Sequence, residues 1–483
     1  MSTSLDASSS APASTPHNRG RLLQVLGVWF GIAAAIGNTI AAGIVRTPGD
    51  VAEKLPNPWL YLGVWLLGGA YALVGASSMA ELGAMIPRSG GQYNFARRGV
   101  GEYAGFLVGW SDWLSTCGTN AAVAIVIGEY GLGFVDRLHG HFPLLFNYVT
   151  ALGPASRSLL TKEIAVSVLL FFAILQWRGV KWGSGAQLIT AALKTGAFIV
   201  VVVACFLIGG HLREAAASPA AAQPAIHFGW PFITAFLIAV QAVVYTVDGW
   251  DGVIYFGAEV KNPGRDVPRA IFGSVFSIMA IYLLLNAAVL YVLPMNQIAG
   301  NNFALGTAAN RIFGHLGDPV IRLIMIVSLL SCINACQMFA ARTLFAMSGD
   351  RLFFKQASRV NKGGTPVTAL LLSTVVGIVF ILGSFERVIA MLSFFFVANY
   401  TLSYASLFRL RKREPDLPRP YRAWGYPWTS GVALAASGMF LIASLATDRE
   451  NAPLAFIILA VSYPIYRVMK WAAVVTDKPA VES

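Results

Sequence analysis

The sequence predicts an all-α membrane protein with about twelve transmembrane helices. Of its 483 residues, 56% are hydrophobic and only 12% are charged, whereas charged residues make up about 25% of an average soluble domain. The mean hydropathy is +0.63, and the apolar residues form runs of about the 20 residues that a helix needs to cross a bilayer. The net charge of +12 does not indicate a nucleic-acid partner, because short loops between the apolar runs share the basic residues.

Each apolar run is predicted to be one span. The limits are 22–45, 58–86, 100–132, 163–178, 185–209, 230–258, 267–293, 319–348, 367–384, 387–408, 429–447 and 453–473. Residues 1–20, rich in Ser, Ala and Pro, are predicted to be a disordered cytoplasmic tail. Residues 21–474 are then one transmembrane domain, residues 475–483 are a second cytoplasmic tail, and no cleavable signal peptide is predicted.

The basic residues predict the orientation. With a cytoplasmic N-terminus, most Lys and Arg residues fall on inner loops, including Arg88, Arg97, Lys261 and the run "RLRKR" at 409–413. Cytoplasmic loops carry such an excess in membrane proteins. Because the number of spans is even, we expect both termini in the cytoplasm.

The reactive residue types give little indication of an enzyme or a metal centre. Cys117, Cys205, Cys332 and Cys336 all fall within predicted spans, where cysteine usually acts as a small apolar residue. "HGH" at 139–141 lacks the further ligands that a metal site needs. No metal, cofactor or disulfide is therefore predicted, and no nucleophile–base arrangement indicates catalysis.

The first span contains an interruption, "IGNTIAAGIV", at residues 36–45. In hydrocarbon an unpaired peptide group costs several kcal/mol, so irregular backbone is tolerated only where it lines a cavity or is buried in protein. Gly37 lowers the cost of unwinding, and the side chains of Asn38 and Thr39 can pair with freed groups. Alternatively, the small residues allow two helices to pack closely.

The sixth span has a second interruption that favours the cavity. In "VVYTVDGWDGVIYFGAEVKNP", residues 243–263, Asp248 and Asp251 flank Gly249 and Trp250. A carboxylate at the bilayer centre costs about 2.5–3.5 kcal/mol and usually faces a cavity. Two interrupted helices five spans apart predict a transporter with inverted repeats and a substrate site near the midplane.

The ends of interrupted helices also predict the kind of substrate. A half-helix N-terminus offers free N–H groups to a carboxylate, and a half-helix C-terminus offers carbonyl groups to an ammonium ion. Two such helices side by side match a zwitterion, and therefore an α-amino acid.

Three segments resemble the amino acid–polyamine–organocation (APC) superfamily, and in particular the bacterial relatives of the L-type amino acid exchangers. "GNTIAAGIV" is similar to that family's first-span motif, and "GWDGVIYFGAEVKNPGRDVPRAI" at 249–271 to its sixth-span motif. "ELGAMIPRSGGQYNFARRGVGEYAGFLVGW" at 81–110 resembles the segment between the second and third spans. The resemblance covers about residues 20 to 470. Its "GGQY" at 90–93 is expected to be structural rather than substrate-binding.

The resemblance implies a permease domain with the leucine-transporter (LeuT) type of fold. Two inverted repeats of five helices would be followed by two extra helices, with helices 1 and 6 unwound mid-membrane. By motif position, backbone N–H groups of Ala42 and Gly43 would bind the substrate carboxylate, and the backbone carbonyls of Thr39, Tyr245 and Asp248 would bind its amino group. The implied substrate site comprises Thr39, Ile40, Ala42, Gly43, Tyr245, Asp248 and Gly249, with Gly37, Asn38 and Asp251 supporting the helix breaks.

The sequence departs from the family motif at three positions of span one. Ala41 replaces a usual glycine, Ala42 a usual Ser or Thr, and Val45 a usual Phe. The change at 41 bears on the shape of the unwound segment. Tyr245 falls where the family often has an aromatic gate over the substrate.

Lys194 is interpreted as the other charge within a span, midway along span five. The resemblance implies that its ammonium group occupies the place of a cation found in sodium-coupled relatives, so transport would not require sodium. Asp251 is interpreted as an N-cap for the second half of span six. Asn334 and Gln337 in span eight could line the path or bond across helices.

The predicted function is sodium-independent transport of L-amino acids across a bacterial inner membrane. Neutral substrates are predicted, because Gly249 and Gly252 leave free N–H groups with which Asp248 can bond. The alternative is a cationic amino acid or polyamine, which Asp248 would favour if it faced the pocket. A non-transporting receptor of the same fold is the other alternative, and exchange and proton symport are both open. The L-type exchangers of animals join a heavy chain through a cysteine between spans three and four, and residues 133–161 contain none, so no disulfide-linked partner is expected.

Overall fold

The computed structural model describes residues 22–139, 152–215, 229–383, 385–447 and 452–476. Within these ranges the chain is helical, and its only β-type pairings are two isolated bridges. The all-α prediction is therefore confirmed for the described part of the chain. The predicted tail at 1–20, most of the tail at 475–483, and two residues of the HGH motif lie outside the described residues.

Sixteen helices are present in the described ranges. In the first half of the chain they are α1 (Val28–Thr39), α2 (Gly43–Lys54), α3 (Pro58–Met85), α4 (Gln92–Gly99), α5 (Glu102–His139), α6 (Pro154–Trp177), α7 (Val180–Ala215) and α8 (Trp230–Val247). In the second half they are α9 (Pro263–Val292), α10 (Met295–Ile298), α11 (Ala304–Phe313), α12 (Gly317–Gly349), α13 (Val367–Ile381), α14 (Phe385–Arg413), α15 (Trp428–Thr447) and α16 (Ala452–Thr476).

Among the described residues, six helical stretches are long and apolar enough to cross a membrane, or seven if α1 and α2 form one broken span. Two shorter apolar helices lie at 367–381 and 428–443. These helices make the protein an integral membrane protein. The full count of twelve spans stays a prediction.

Several predicted spans have wrong boundaries. Span four, predicted at 163–178, is the helix Pro154–Trp177, because polar residues in its first turns conceal where it begins. Span one was predicted to end at residue 45, but after a break the chain continues as α2 to Lys54, bent by 54° from α1. Charged residues on one side of α2, such as the exposed pair Arg46 and Asp50, conceal a helix whose other side is buried. In span six, α8 ends at Val247, and two short 3₁₀ turns replace the expected second half of the helix.

The helices around the two breaks form the centre of the bundle. α1 packs against α7, α9 and α12, and α12 in turn packs along α5. α9 also packs against α3, whose Gly68 and Gly69 allow close approach of neighbouring side chains. We call the end of the bundle where α3 and α12 finish, at Met85 and Gly349, the inner end; the loops there are those predicted to be cytoplasmic.

Candidate substrate site

The break after α1 frees several backbone carbonyl groups. The N–H of Ile40 still bonds to Ile36 O at 3.1 Å, as in a helix, but the N–H of Ala41 turns back to Thr39 O at 2.9 Å. The carbonyl of Gly37 therefore loses the partner that a continuous helix would give it. α2 begins only at Gly43.

Lys194 of α7 lies against this set of carbonyls. Its Nζ donates to the carbonyl oxygens of Ile36 at 3.1 Å, Gly37 at 3.0 Å and Ile40 at 2.8 Å. The side chain is fully buried. An ammonium group has three N–H donors, so these three contacts can use all of them. The negative end of α1 is thus stabilised by a fixed positive charge.

Other side chains bind the remaining freed carbonyls. Ser328 of α12 donates to Ile40 O at 2.6 Å, and the hydroxyl of Tyr282 lies 2.9 Å from Thr39 O and 3.2 Å from Thr246 O. The carbonyl of Thr39 therefore has two donors, the Tyr282 hydroxyl and the N–H of Ala41. A carbonyl oxygen has two lone pairs, so in this conformation Thr39 O has none left for the substrate amino group that it was predicted to bind.

The break in span six touches the break in span one. Asp248 is extended, and Gly249 has a φ of +103°, a conformation that glycine adopts at little cost. A Cβ added to Gly249 would lie 2.3 Å from Nδ2 of Asn38. On the outer side of the breaks, the hydroxyls of Thr47 and Thr246 are 2.6 Å apart and join α2 to α8.

A cavity of about 180 Å³ lies between the two breaks and the helices α5, α12 and α14. The sequence-predicted residues on its wall are Asn38, Thr39, Gly43, Tyr245, Asp248, Gly249 and Asp251. Gly37, Ile40 and Ala42 are not on that wall: the Gly37 and Ile40 carbonyls face Lys194, and Ala42 packs against the apolar residues of α5, α6 and α12.

The carboxylates of the two acidic residues of span six share one partner, Tyr400, and differ in the other. Asp248 interacts with the N–H of Gly249 and the hydroxyl of Tyr400. Asp251 accepts from Nε2 of Gln92 at 3.2 Å. It stands before the first 3₁₀ turn but makes no side-chain cap, so the N-cap interpretation is wrong. Cross-helix bonding to α4 replaces capping because no α-helix follows that would need a cap.

Gln92 of the "GGQY" segment, which was predicted to be structural, also contributes to the cavity wall. Its side chain lines the cavity, while its Oε1 accepts from Ser403 of α14 at 3.2 Å. Gly90 and Gly91 have positive φ values of 114° and 65°, which lets the loop turn into α4 beside the 3₁₀ turn. The N–H of Gly90 donates to Tyr255 O at 3.0 Å.

Sequence reasoning missed the wall opposite the breaks. Thr116 and Thr119 come from α5, Cys336 and Phe339 from α12, and Phe396 and Tyr400 from α14. Asn334 and Gln337 prove to bond across helices: Asn334 donates to Gly183 O at 2.9 Å, and Gln337 to Leu169 O at 2.9 Å. These residue types are common in spans, so no local pattern distinguishes the ones that face a cavity.

The interpretation of Lys194 as the other charge within a span is wrong, because further charges lie within the predicted spans. Asp112 of α5 and Glu81 of α3 are buried, as is Arg342 of α12. Their spans were recognised as apolar runs, and a single charge does not interrupt such a run. The rule that charges at membrane depth have a function would have singled out Asp112.

Two groups of charged residues lie between the cavity and the inner end of the bundle. Arg342 binds Glu259 through two bonds of 2.6 and 2.8 Å, and its guanidinium lies 4.4 Å from the centre of the Phe256 ring. Asp350 accepts from Arg88 at 2.8 Å and lies 3.0 Å from Arg97. We call these two ion-pair groups the inner gate. They join the 3₁₀ turns of span six and the loop before α4 to α12.

Comparison with known proteins agrees with this geometry. A family model described as "Amino acid permease" matches residues 26–466, which is nearly the whole described chain. The chain belongs to the amino acid permease family of the APC superfamily. The predicted resemblance is thereby confirmed, and the protein is a permease rather than an enzyme.

Individual relatives of this permease are named as exchangers and transporters. The chain is 30% identical over 458 residues to the serine/threonine exchanger SteT of Bacillus subtilis (strain 168), covering 93% of this chain and 97% of SteT. It is 26% identical over 412 residues to the Asc-type amino acid transporter 1 of Mus musculus, covering 84% and 73%. It is also 26% identical over 407 residues to the large neutral amino acids transporter small subunit 2 of Homo sapiens, covering 83% and 72%.

Proposed function

We propose that this permease exchanges neutral L-amino acids across the membrane by alternating access and without sodium. The observation that carries the proposal is the contact of Lys194 with the three carbonyl oxygens of Ile36, Gly37 and Ile40. A helix C-terminus broken inside a membrane needs a positive charge or several donors. Lys194 supplies both, so the break needs no sodium ion.

The ends of the broken helices support the binding of a zwitterion. α2 begins at Gly43, on the cavity wall, and the first N–H groups of a helix have no partner within it. They are suited to the substrate carboxylate. α8 ends at Val247, and the carbonyls at its end are suited to the amino group. Of the backbone sites inferred from the family motif, the N–H groups of Ala42 and Gly43 and the carbonyls of Tyr245 and Asp248 therefore remain our assignment.

The surroundings of Asp248 support neutral substrates. Its interactions with the Gly249 N–H and the Tyr400 hydroxyl make it part of the broken backbone rather than a free receptor for a cation. The names of the relatives, which refer to serine, threonine and large neutral amino acids, point the same way. Asp251 on the same wall supports the cationic alternative.

The proposal also covers the number of spans, the orientation in the membrane and the partner. Two broken helices in contact at one cavity support the inverted-repeat arrangement with twelve spans, with helices 1 and 6 unwound. Both termini would be cytoplasmic in a bacterial inner membrane, and no disulfide-linked heavy chain would be needed. Cysteine introduced at Lys412 should then label from inside and at Lys54 from outside; the reverse result would refute this orientation.

The direct test is an exchange assay with purified protein in proteoliposomes. Vesicles are loaded with unlabelled serine, and entry of labelled serine is measured against a panel of twenty competing amino acids. We expect exchange that neutral L-amino acids inhibit and that arginine and lysine inhibit weakly. Strong inhibition by arginine and lysine alone would favour the cationic alternative, and binding without exchange would favour a receptor.

A further inference from the structure

Asp112 is a buried carboxylate that the substrate site does not use. It lies on α5, one helical turn (about 6 Å of rise) to the inner side of Thr116, which lines the cavity. Its Oδ1 accepts from the hydroxyl of Tyr255 at 2.9 Å, and its Oδ2 from Thr343 at 3.3 Å. The residue is 2% exposed. It therefore occupies the layer between the cavity and the inner gate.

Among the described residues, the buried carboxylates other than Asp251 on the cavity wall have arginine partners, and Asp112 does not. Glu81 pairs with Arg411 and Arg419, and Glu259 with Arg342. Within the described ranges, no ion pair to Lys or Arg involves Asp112. The nearest arginine along α12, Arg342, has its guanidinium bound to Glu259 and to the carbonyl of Met338.

The ionisable groups around Asp112 carry no positive charge. The groups that interact electrostatically with its carboxylate are Tyr255 from the 3₁₀ turn, Asp248 and Asp251 from the break, Cys117 from α5 and Cys336 from α12. Tyr93 of α4 directs its hydroxyl to Asp350 instead. An unpaired carboxylate in such surroundings is costly when ionised, and binding a proton removes that cost.

Tyr255 connects Asp112 both to the cavity and to the gate. Its side chain lines the cavity, its ring stacks on Phe339 with centroids 4.5 Å apart, and its carbonyl accepts from Gly90. The bond from Tyr255 to Asp112 is charge-assisted only while the carboxylate is ionised, and such bonds are about twice as strong as neutral ones. Protonation of Asp112 would thus loosen the 3₁₀ turn from α5.

From these contacts we infer that Asp112 is a proton-binding site that couples proton entry to opening of the inner gate. This inference rests on the proposed substrate site and goes beyond exchange: when no amino acid is available for exchange, the permease carries its substrate inward together with a proton. A cavity water passes a proton to the Tyr255 oxygen as that hydroxyl gives its own proton to Asp112, so Tyr255 remains a neutral phenol. When the inner gate opens, the O–H bond on Asp112 breaks and the proton passes to water on the inner side.

The test measures amino acid and proton movement together. Proteoliposomes contain a trapped pH dye and no amino acid, their membrane potential is clamped, and the outer solution is about one pH unit more acidic. One proton per substrate would then support about tenfold accumulation of labelled serine, because a factor of ten corresponds to 1.4 kcal/mol. We expect wild-type vesicles to reach this accumulation and to show acidification of the lumen beyond the passive leak.

Two variants separate the proton site from the substrate site. Asp112→Asn should keep serine exchange at equal pH but lose gradient-driven accumulation and lumen acidification. Asp112→Glu, which keeps the carboxyl group, should retain both. If Asp112→Asn does not elute as a folded protein from size-exclusion chromatography, the proton-to-serine ratio of the wild type and of Asp112→Glu decides the question.

The two possible failures give different results. Wild-type exchange that is unaffected by the pH gradient and causes no acidification would overturn the proton site and leave the proposed function standing. Accumulation by folded Asp112→Asn would overturn it as well. Wild-type vesicles that exchange no amino acid would overturn the proposed function, and the proton site with it.

Discussion

Nζ of Lys194 lies 2.8 Å from the carbonyl oxygen of Ile40, the residue at which the first membrane helix stops. The ammonium group and the broken helix each provide the hydrogen-bond partners that the other needs. The break leaves carbonyl groups without N–H partners, and a buried lysine needs acceptors to offset its desolvation. Removing either one leaves the other with a buried polar group that has no partner.

Replacing Lys194 should therefore abolish transport. Lys194→Ala leaves the carbonyl of Gly37 without a donor in a buried site, where an unsatisfied group costs about 1–3 kcal/mol, and leaves Ile40 O with Ser328 alone. We expect less than a tenth of the wild-type exchange rate, measured with labelled serine in proteoliposomes. The matched control is Lys181→Ala, an exposed lysine of the same helix, which should exchange at the wild-type rate. Equal rates for both variants would contradict the assignment.

Gly249 should not tolerate any side chain. Its φ of +103° is strained for other residues, and a Cβ would lie 2.3 Å from Nδ2 of Asn38. Such backbone strain costs about 1–3 kcal/mol. Gly249→Ala should lower both the thermal stability and the exchange rate. Gly185→Ala provides the comparison, because that helical glycine has no atom within 4 Å of the added Cβ. It should be neutral or stabilising by up to about 1 kcal/mol.

The Arg342–Glu259 pair should stabilise the closed inner gate. Removing one partner of a buried ion pair costs about 3–5 kcal/mol, because the other charge is left uncompensated. Thermal unfolding of purified Arg342→Gln should show this loss, and adding Glu259→Gln should recover part of it. Arg46→Gln, at a pair whose side chains are 72% and 45% exposed, should change stability by no more than about 1 kcal/mol. A double variant that is less stable than Arg342→Gln would contradict the pairing argument.

The Asp248→Asn variant tests whether Asp248 holds the broken backbone in shape or selects the side chain of the substrate. The carboxylate interacts with Gly249 N–H and Tyr400, so we expect the variant to lose uptake of alanine, leucine, arginine and lysine by similar factors. A selective loss of arginine and lysine uptake would falsify the neutral-substrate proposal. A carboxylate bound to a cationic side chain contributes about 1.5–3 kcal/mol, so a selective loss would be roughly ten- to hundredfold.

Long apolar helices could be predicted from the sequence because their signal is local. α3, observed at Pro58–Met85 and predicted at 58–86, and α12, observed at Gly317–Gly349 and predicted at 319–348, show this. α2 could not be assigned to span one, because Arg46, Asp50 and Lys54 make it look like a loop. The inner half of span six was expected to be helical, yet its short 3₁₀ turns are held by contacts with α4 and α5, which no local pattern contains.

Some residues of the candidate site could also be predicted from the sequence, and others could not. Residues at the breaks were predictable because glycine, asparagine and aspartate are unusual within an apolar run. Thr116, Phe339 and Tyr400 are ordinary residues of a span and are placed on the cavity only by helix packing. Asp112 lies between these cases: its charge within span three was visible, but its bond to Tyr255 depends on the fold.

The most direct test of the account is the sodium dependence of wild-type exchange. Labelled serine exchange is measured in proteoliposomes in matched sodium and choline buffers of equal ionic strength and equal pH on both sides. If the Lys194 ammonium group fulfils the role of a bound cation at the end of α1, the two rates will be equal. A rate that falls more than about tenfold when sodium is removed, which corresponds to at least 1.4 kcal/mol, would contradict the account.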